Sequence, residues 1–280
     1  MKRILLILVL ILLQVEVTSA QETEVEWWKD YSITASGYGT VVDGKVETAE
    51  IQKQKAIANA RKKIIEQVTK INITADKTIS AEMLEGIEEL GIVKDETVYK
   101  NGSCKVKMIL PLFGEKNSLS KIIFKPVPKK NFPEPKNSSG NVEGEYTGLV
   151  IDCTDWEILN SLLQPVLLPT VKGEDGTIVY DYSFADYDSV VKGGMVDYVA
   201  DKKSSNRAGE KPLIIKIQSL EDKNSTPILS AEDVDKILRE NKSTHFLERC
   251  AVVIVTEKAI VDEDERGGNS WGVRDSDIFA

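Results

Sequence analysis

The sequence predicts an α+β fold built from two small domains, each an antiparallel or mixed sheet with helices packed on one face. Residues 21–113 carry the order strand, helix, helix, strand, strand. Residues 146–260, the second α/β domain, carry a further series of short apolar strands around one capped helix. A chain of 280 residues exceeds what one core usually organises, so two domains are expected.

Residues 1–20 have the pattern of a signal peptide. Lys2 and Arg3 precede an apolar run over residues 4–13, and small residues lead to Ala20. The run is shorter than the ~20 residues that a spanning helix needs, although a retained membrane anchor is the alternative. We therefore expect export, cleavage after Ala20 and a periplasmic or extracellular mature protein.

In the first domain, alternation predicts a strand over residues 31–38, after Trp27 and Trp28, which are expected to pack on this domain. A helix is expected over residues 48–68. Its apolar stripe is formed by Ala49, Ala56, Ile57, Ala60, Ile64 and Val68. A shorter helix follows over residues 81–90. Strands 92–99 and 104–112 then flank Asn101-Gly102, a dipeptide favoured in type I′ turns.

Residues 114–145 are expected to form an extended, solvated linker, because prolines oppose helices and central strands. Limited proteolysis is expected to cut it early, near Lys129, Lys130 or Lys136. Its lysines have an alternative role, which is to hold an anionic partner such as a cell-wall polymer. The prolines and lysines concerned are Pro126, Pro128, Pro133, Pro135, Lys125, Lys129, Lys130 and Lys136.

In the second domain, a helix is expected over residues 230–240, where Ser230 and Asp233 form a capping box. The predicted strands cover residues 146–153, 166–171, 178–182, 213–219 and 250–256 and form one sheet. Residues 261–280 are acidic and lack periodicity, which predicts a flexible tail.

The chain is acidic, with a net charge of −9, and loss of the leader removes two basic residues and one acidic residue. Such a charge repels phosphate backbones, so nucleic acid is excluded as a partner. Three cysteines are too few for a disulfide scaffold. Cys153 and Cys250 lie in predicted strands, which leaves a single bridge or two buried thiols as alternatives, and Cys104 stands apart.

His245 is the single histidine of the sequence. Because nucleophilic catalysis usually needs an oriented imidazole and zinc sites need several ligands, most mechanisms of these two kinds are excluded. His245 is expected to be a structural residue. No phosphate-binding glycine motif occurs in the sequence. The sequence therefore predicts no catalytic residue, no cofactor and no metal site.

Two clusters of acidic residues are candidate functional sites. The first, Asp152, Asp155 and Glu157, ends a predicted strand, where catalytic acids or calcium ligands often lie. The second is an acidic, aromatic segment that could bind sugars or a protein, and a solvated loop is its alternative. It contains Asp181, Asp186 and Asp188 with Tyr180, Tyr182, Phe184 and Tyr187.

Three segments carry a family resemblance. They are Thr34-Ala35-Ser36-Gly37-Tyr38-Gly39, the helix with Ala56, Ala58, Ala60 and Arg61, and the closing strand Val106-Lys107-Met108-Ile109-Leu110-Pro111-Leu112. On these residues the first domain resembles the Lpp-twenty-like envelope lipoprotein family and the related amino-terminal domain of the flagellar assembly protein FlgT. The second domain, through residues 146–152 and 212–216, is similar to the region that accompanies this domain in many bacterial envelope proteins.

The resemblance implies a surface or periplasmic protein without established catalytic residues. Family members are often lipoproteins, whereas this chain has no cysteine at the cut, which favours a soluble or peripherally associated form. We expect a non-enzymatic protein that binds an envelope protein or assembly, the flagellum included. The alternative is a carboxylate-dependent hydrolase or a sugar-binding protein that uses Asp152, Asp155 or Glu157.

Overall fold

A computed structural model describes residues 27–40, 48–84, 90–137, 142–154 and 162–256. The predicted signal peptide and the predicted tail lie outside the described residues. The helices are α1 (Trp27–Asp30), α2 (Ala49–Val68), α3 (Leu119–Ile123), α4 (Tyr187–Gly193) and α5 (Ala231–Thr244), with 3-10 turns at Ala81–Leu84 and Lys202–Ser204. None of the described helices combines the length and apolar character that crossing a membrane requires.

The strands fall into a first part and a second part of the chain. In the first part they are β1 (Ser32–Gly39), β2 (Asn72–Thr74), β3 (Lys77–Thr78), β4 (Ile92–Val98) and β5 (Cys104–Pro111). In the second part they are β6 (Gly148–Asp152), β7 (Val171–Gly173), β8 (Ile178–Tyr180), β9 (Asp197–Val199), β10 (Pro212–Lys216), β11 (Ser219–Glu221), β12 (Thr226–Leu229) and β13 (Val252–Val255). This mixture of helices and sheets confirms the predicted α+β class.

The first part is an antiparallel sheet of order β1-β5-β4 with α2 across it. The Thr48 hydroxyl caps α2 by accepting a hydrogen bond from the Ile51 N–H at 3.4 Å. The buried stripe of α2 is Gln52, Ala56, Ala60, Ile64 and Val68. The predicted stripe is therefore wrong at its start, because Ala49 is exposed and Gln52 takes its place one turn later.

Two glycines of β1 set the distance between the sheet and α2. A Cβ atom added at Gly37 would lie 1.9 Å from the Ala56 carbonyl oxygen, and one at Gly39 would lie 1.9 Å from the Gln52 carbonyl oxygen. Only glycine allows the backbones to approach so closely. The alanines of α2 face this contact, which explains the small side chains of its stripe.

The hairpin between β4 and β5 has a longer loop than the sequence predicts. Gly102 has a φ of 83°, whereas Asn101 is outside the left-handed region that a type I′ turn requires of both residues. The Asn101 carboxamide oxygen instead accepts a hydrogen bond from the Ser103 N–H at 3.1 Å. The predicted helix over residues 81–90 is a 3-10 turn over Ala81–Leu84, and residues 85–89 lie outside the described residues.

The second part contains two four-stranded sheets where the sequence predicts one. The sheet of order β10-β6-β13-β9 is parallel throughout. The sheet of order β11-β12-β7-β8 is mixed, since β12 runs parallel to β7 and the other pairs are antiparallel. Every residue of β13 is buried, as is typical of a strand in a parallel sheet.

One continuous buried cluster extends from the first sheet into the second part. At the junction, Trp27 is 5% exposed and packs edge-on against Tyr198 of β9, with ring centroids 6.1 Å apart. The predicted packing of Trp27 is therefore seen, and its partners include the second part. The two parts of the chain share their core at this contact.

The segment that follows α3 is extended, as its prolines predict, but it is bound along the second part. We call residues 125–137 and 142–144 the strap. The Lys130 N–H donates to the Ser183 carbonyl at 2.9 Å, and the Phe132 ring stacks on Phe184 at a centroid distance of 4.7 Å. The predicted freely solvated linker is thus wrong here, because aromatic contacts and backbone hydrogen bonds attach it.

Acidic side chains of α5 hold the far end of the strap. The N–H groups of Lys136 and Asn137 donate to the Asp235 carboxylate at 2.7 and 2.9 Å. The Lys136 ammonium also contacts the carboxylate of Asp175. Of the lysines predicted as an anion site, Lys125, Lys129 and Lys130 are exposed, while Lys136 is paired within the chain.

Glu240 of α5 is the buried anchor of the strap. Glu240 is only 1% exposed. The two oxygens of its carboxylate accept hydrogen bonds from the N–H groups of Glu143 and Gly144, both at 2.9 Å. We expect Glu240→Ala to lower the free energy of unfolding by about 2 kcal/mol, since charged hydrogen bonds contribute more than neutral ones. Limited proteolysis should cut the strap slowly in the native protein and rapidly in this variant.

Glu134→Ala is the matched control, because Glu134 is an exposed strap carboxylate whose ion pair with Lys242 lies in water. It should leave both stability and the rate of strap cleavage nearly unchanged. Equal cleavage of the native protein and the Glu240 variant would show that this anchor does not hold the strap.

Candidate functional site

The first carboxylate group is only partly described. Asp152 ends β6, and its Oδ1 accepts hydrogen bonds from the N–H and the hydroxyl of Thr154, at 3.1 and 2.6 Å. These contacts close a turn at the end of the strand. Asp155 and Glu157 lie outside the described residues.

The acids of the second group support local structure. Asp181 accepts hydrogen bonds from the Ser183 N–H and hydroxyl, at 2.7 and 2.5 Å. Asp186 caps α4 by accepting from the Ser189 N–H at 3.0 Å. Asp188 is exposed in the first turn of α4, where a negative charge favours the helix. The segment does not bring its three carboxylates to one point.

The aromatic residues of this segment hold the strap and the core. The Tyr180 hydroxyl donates to the Met195 carbonyl at 3.1 Å inside the core. The hydroxyls of Tyr182 and Tyr187 donate to the carbonyls of Lys125 and Phe124, at 2.8 and 3.4 Å. Tyr182 and Phe184 therefore bind the chain's own strap, Tyr187 binds the residue that precedes the strap, and Tyr180 belongs to the core. These contacts explain the number of aromatic residues without a ligand.

His245 ends α5 in the left-handed conformation, with a φ of 51°, and its Nδ1 lies 3.0 Å from the Glu248 carboxylate. The predicted structural role agrees with this position. All three cysteines are free and buried, so the bridge between Cys153 and Cys250 is not formed. Burial raises the pKa of the Cys153 thiol far above its ordinary value. Among the residues that the structure describes, no His, Cys, Asp and Glu side chains form a group of three or more that could hold a metal ion.

A cavity of about 320 Å³ lies where α1 meets the parallel sheet. It extends from Asp197 to Ala200, along the whole of β9, and reaches Thr256, the residue that follows β13. Its walls combine aromatic rings with hydroxyl groups, one carboxylate and the ammonium-bearing side chain of Lys29. The other lining residues used below are Trp28, Tyr31, Asp197, Ala200, Ser205 and Thr256.

Among the described residues, Asp197 is the only carboxylate that lines this cavity, and its charge is neutralised within the chain. The Arg207 Nε lies 2.8 Å from one of its oxygens, and the Ser205 hydroxyl donates to the other at 2.6 Å. The Arg207 guanidinium also donates to carbonyls at the end of α4, including that of Gly194 at 3.0 Å. It donates to the carbonyl of Cys250 as well, at 3.2 Å. The cavity therefore presents polar groups without a net charge from this pair.

Tyr31 stands at the cavity with a strained backbone. Its φ of 48° is rare for a bulky residue. The conformation is maintained by a hydrogen bond from the Tyr198 N–H to the Tyr31 hydroxyl at 3.0 Å and by one from the Leu112 N–H to the Tyr31 carbonyl at 2.9 Å. Burial and the nearby Asp197 carboxylate raise the pKa of Tyr31, so its hydroxyl stays protonated. Such strain is often found at functional sites.

The two edges of the first sheet differ in whether side chains of α2 bind their backbone carbonyls. At the β1 edge, α2 supplies side-chain donors at every fourth residue. Asn59 donates to the Tyr38 carbonyl at 2.7 Å, Lys63 to the Ser36 carbonyl at 2.9 Å, and Gln67 to the Thr34 carbonyl at 3.5 Å. This edge is therefore closed to another strand.

The β4 edge is open. All seven residues of β4 are exposed, and β5 is its neighbour on one side only. Of these residues Ile92 is 40%, Val93 38% and Val98 53% exposed, and the next residue, Tyr99, is 45% exposed. Within the described part of the chain, no strand pairs with its outer side. An exposed apolar edge strand is a template for pairing with another chain.

The pairing pattern shows which groups of β4 face outward. The Tyr99 N–H donates to the Ser103 carbonyl at 2.9 Å, and antiparallel pairs alternate in this respect. Thr97 therefore bonds to β5, while the N–H groups of Glu96 and Val98 point away from it. The Glu96 N–H donates to the Asp95 carboxylate at 2.9 Å, which leaves Val98 as the outward donor nearest the hairpin.

Sequence reasoning did not single out β4 or the cavity. The spacing of Asn59, Lys63 and Gln67 is visible in the sequence, but the carbonyls that these side chains bind are not. Tyr31 and Asp197 are 166 positions apart, and no local pattern indicates that they meet.

Comparison with known proteins bears on the second part of the chain. Residues 148–258 match the family model of the second domain of Treponema pallidum Tp0624. The matched range contains the parallel and the mixed sheet and leaves out α2 and the first sheet. No curated protein matches the chain.

Proposed function

We propose that the protein is an exported, non-enzymatic protein of the bacterial envelope that binds a protein partner by strand addition at β4. One observation carries the proposal: α2 closes the β1 edge of the first sheet, while the β4 edge has outward backbone groups and exposed apolar side chains. In strand addition, backbone hydrogen bonds give affinity and the alternating side chains give specificity.

The sequence supports the compartment and the kind of activity. The leader pattern of residues 1–20 favours export. The first domain's resemblance to the Lpp-twenty-like family favours a role in an envelope assembly without catalysis. The acidic charge of the chain makes a basic or neutral protein segment a better partner than a phosphate-rich polymer.

Site-specific photocrosslinking in intact cells tests the proposal. A photoreactive amino acid is placed at Thr97 of β4 or at Thr34 of β1, because both are exposed threonines on opposite edges of one sheet. We expect Thr97 to yield one dominant crosslinked envelope protein, identified by mass spectrometry, and Thr34 to yield none. Equal products from both positions, or none from Thr97, would contradict strand addition at β4.

A further inference from the structure

The cavity at the junction of α1 and β9 is separate from the β4 edge, and its chemistry indicates a class of ligand. The carboxylate in the cavity wall belongs to Asp197, and the Arg207 guanidinium neutralises the charge of this carboxylate. A ligand with a net charge would therefore find no partner at this carboxylate. Lys29, an exposed residue, also lines the cavity. This side chain and the hydroxyl groups of Ser205 and Thr256 favour a molecule with several hydroxyl groups.

The carboxylate has capacity left for one ligand hydroxyl. An ionised carboxylate offers about four acceptor positions. Arg207 and Ser205 use two of them, which leaves acceptor capacity on a side chain that lines the cavity.

Trp28 supplies the apolar part of the site. It is half-buried, and Trp27 packs against it edge-on with ring centroids 5.9 Å apart, which fixes the orientation of the indole. A fixed aromatic face beside hydroxyls and a carboxylate complements a molecule that is apolar on one face and polar around its rim. A pyranose ring has this form, and a cavity of about 320 Å³ is near the lower limit of known ligand pockets.

We propose that this cavity binds a single pyranose ring, with its apolar face on Trp28 and a ring hydroxyl donating to Asp197. Tyr31, whose backbone is strained, lines the same cavity, and its hydroxyl accepts a hydrogen bond from the N–H of Tyr198, the residue after Asp197. The ring is either a free monosaccharide or one unit of a polysaccharide, and both offer the same chemistry.

Ligand-observed NMR titration of the full chain tests this site. The probes are methyl glucoside, N-acetylglucosamine, chitotetraose and, as a polyol without a ring, glycerol. We expect saturable binding of a pyranose with a dissociation constant of roughly 1 mM and none of glycerol. Binding of chitotetraose as well would assign the site to a unit of a chain, whereas binding of monosaccharides alone would assign it to a free sugar.

Two variants locate the binding. Trp28→Ala removes the aromatic face and should weaken binding about tenfold. Ala200→Phe fills the cavity from an exposed position, and it keeps the test valid if the Trp28 variant is unstable. Tyr38→Ala is the control, since Tyr38 is an exposed aromatic residue on the first sheet. Absence of saturation with every sugar, equal binding of glycerol, or binding that survives both cavity variants would overturn the proposal.

Discussion

Replacement of Gly37 by valine is expected to separate α2 from the first sheet. Even the first carbon of a side chain at this position would lie 1.9 Å from the Ala56 carbonyl oxygen and 2.4 Å from the Ala60 nitrogen. Both are backbone atoms of a helix and cannot rotate away. We expect the free energy of unfolding to fall by about 3 kcal/mol or more, measured from urea unfolding followed by circular dichroism.

Ser36→Val is the matched control for this variant. Ser36 is the neighbour of Gly37 in β1, it is half-buried, and its side chain points to the opposite face of the sheet. A β-branched residue there should change stability by less than about 0.5 kcal/mol. Equal losses from the two substitutions would show that the close approach of Gly37 to α2 is not what stabilises this layer.

Arg207→Met is expected to have the second large effect, again a loss of about 3 kcal/mol. Methionine keeps the apolar stem but removes the donors to Asp197 and to the carbonyls of Gly194 and Cys250. The side chains of Arg207 and Asp197 are only 19% and 20% exposed, so water replaces little of the lost pairing. Thermal or urea unfolding measures the loss.

Two comparisons make this result specific. Arg249→Met is the matched control, because Arg249 also donates to helix-terminal carbonyls but is exposed. It should cost less than about 1 kcal/mol. The double variant Arg207→Met with Asp197→Asn should be more stable than additivity predicts, since it leaves no unpaired charge. Strict additivity would contradict the role assigned to the pair.

Local patterns predicted the elements whose stability is local. The alternation of β1, the stripe of α2 and the serine cap of α5 each lie within about 20 neighbouring residues. The structure confirms them, although the buried stripe of α2 begins three residues later and α5 ends four residues later than predicted. The predicted α+β class follows from these elements.

Contacts between distant residues could not be predicted. The sequence of the strap predicts a solvated linker, because it is polar and rich in proline. The residues that anchor it, Asp235 and Glu240, lie almost 100 positions further along the chain. The division of the second part into two sheets has the same cause. The register between β7 and β12 depends on tertiary packing, and single strands of three or four residues carry little information about it.

The open edge of β4 was also hidden from sequence reasoning. Its apolar and charged residues predict an ordinary hairpin strand. Only the structure shows that α2 closes the β1 edge of the sheet and leaves the β4 edge open. The fate of an edge strand depends on which neighbour covers it. Sheet topology, more than any sequence motif, therefore marks β4 as the candidate binding edge.

Crosslinking from Thr97 in a Val98→Pro background tests strand addition at β4 most directly. The Val98 N–H points away from β5, so proline removes an outward donor while the pairing of β4 with β5 is kept. Val98→Ala is the control, because it shortens the side chain and keeps the donor. We predict that the crosslinked partner falls about tenfold with proline and by less than about twofold with alanine, at unchanged stability. An undiminished crosslink in the proline variant, or an equal fall in both, would contradict the account.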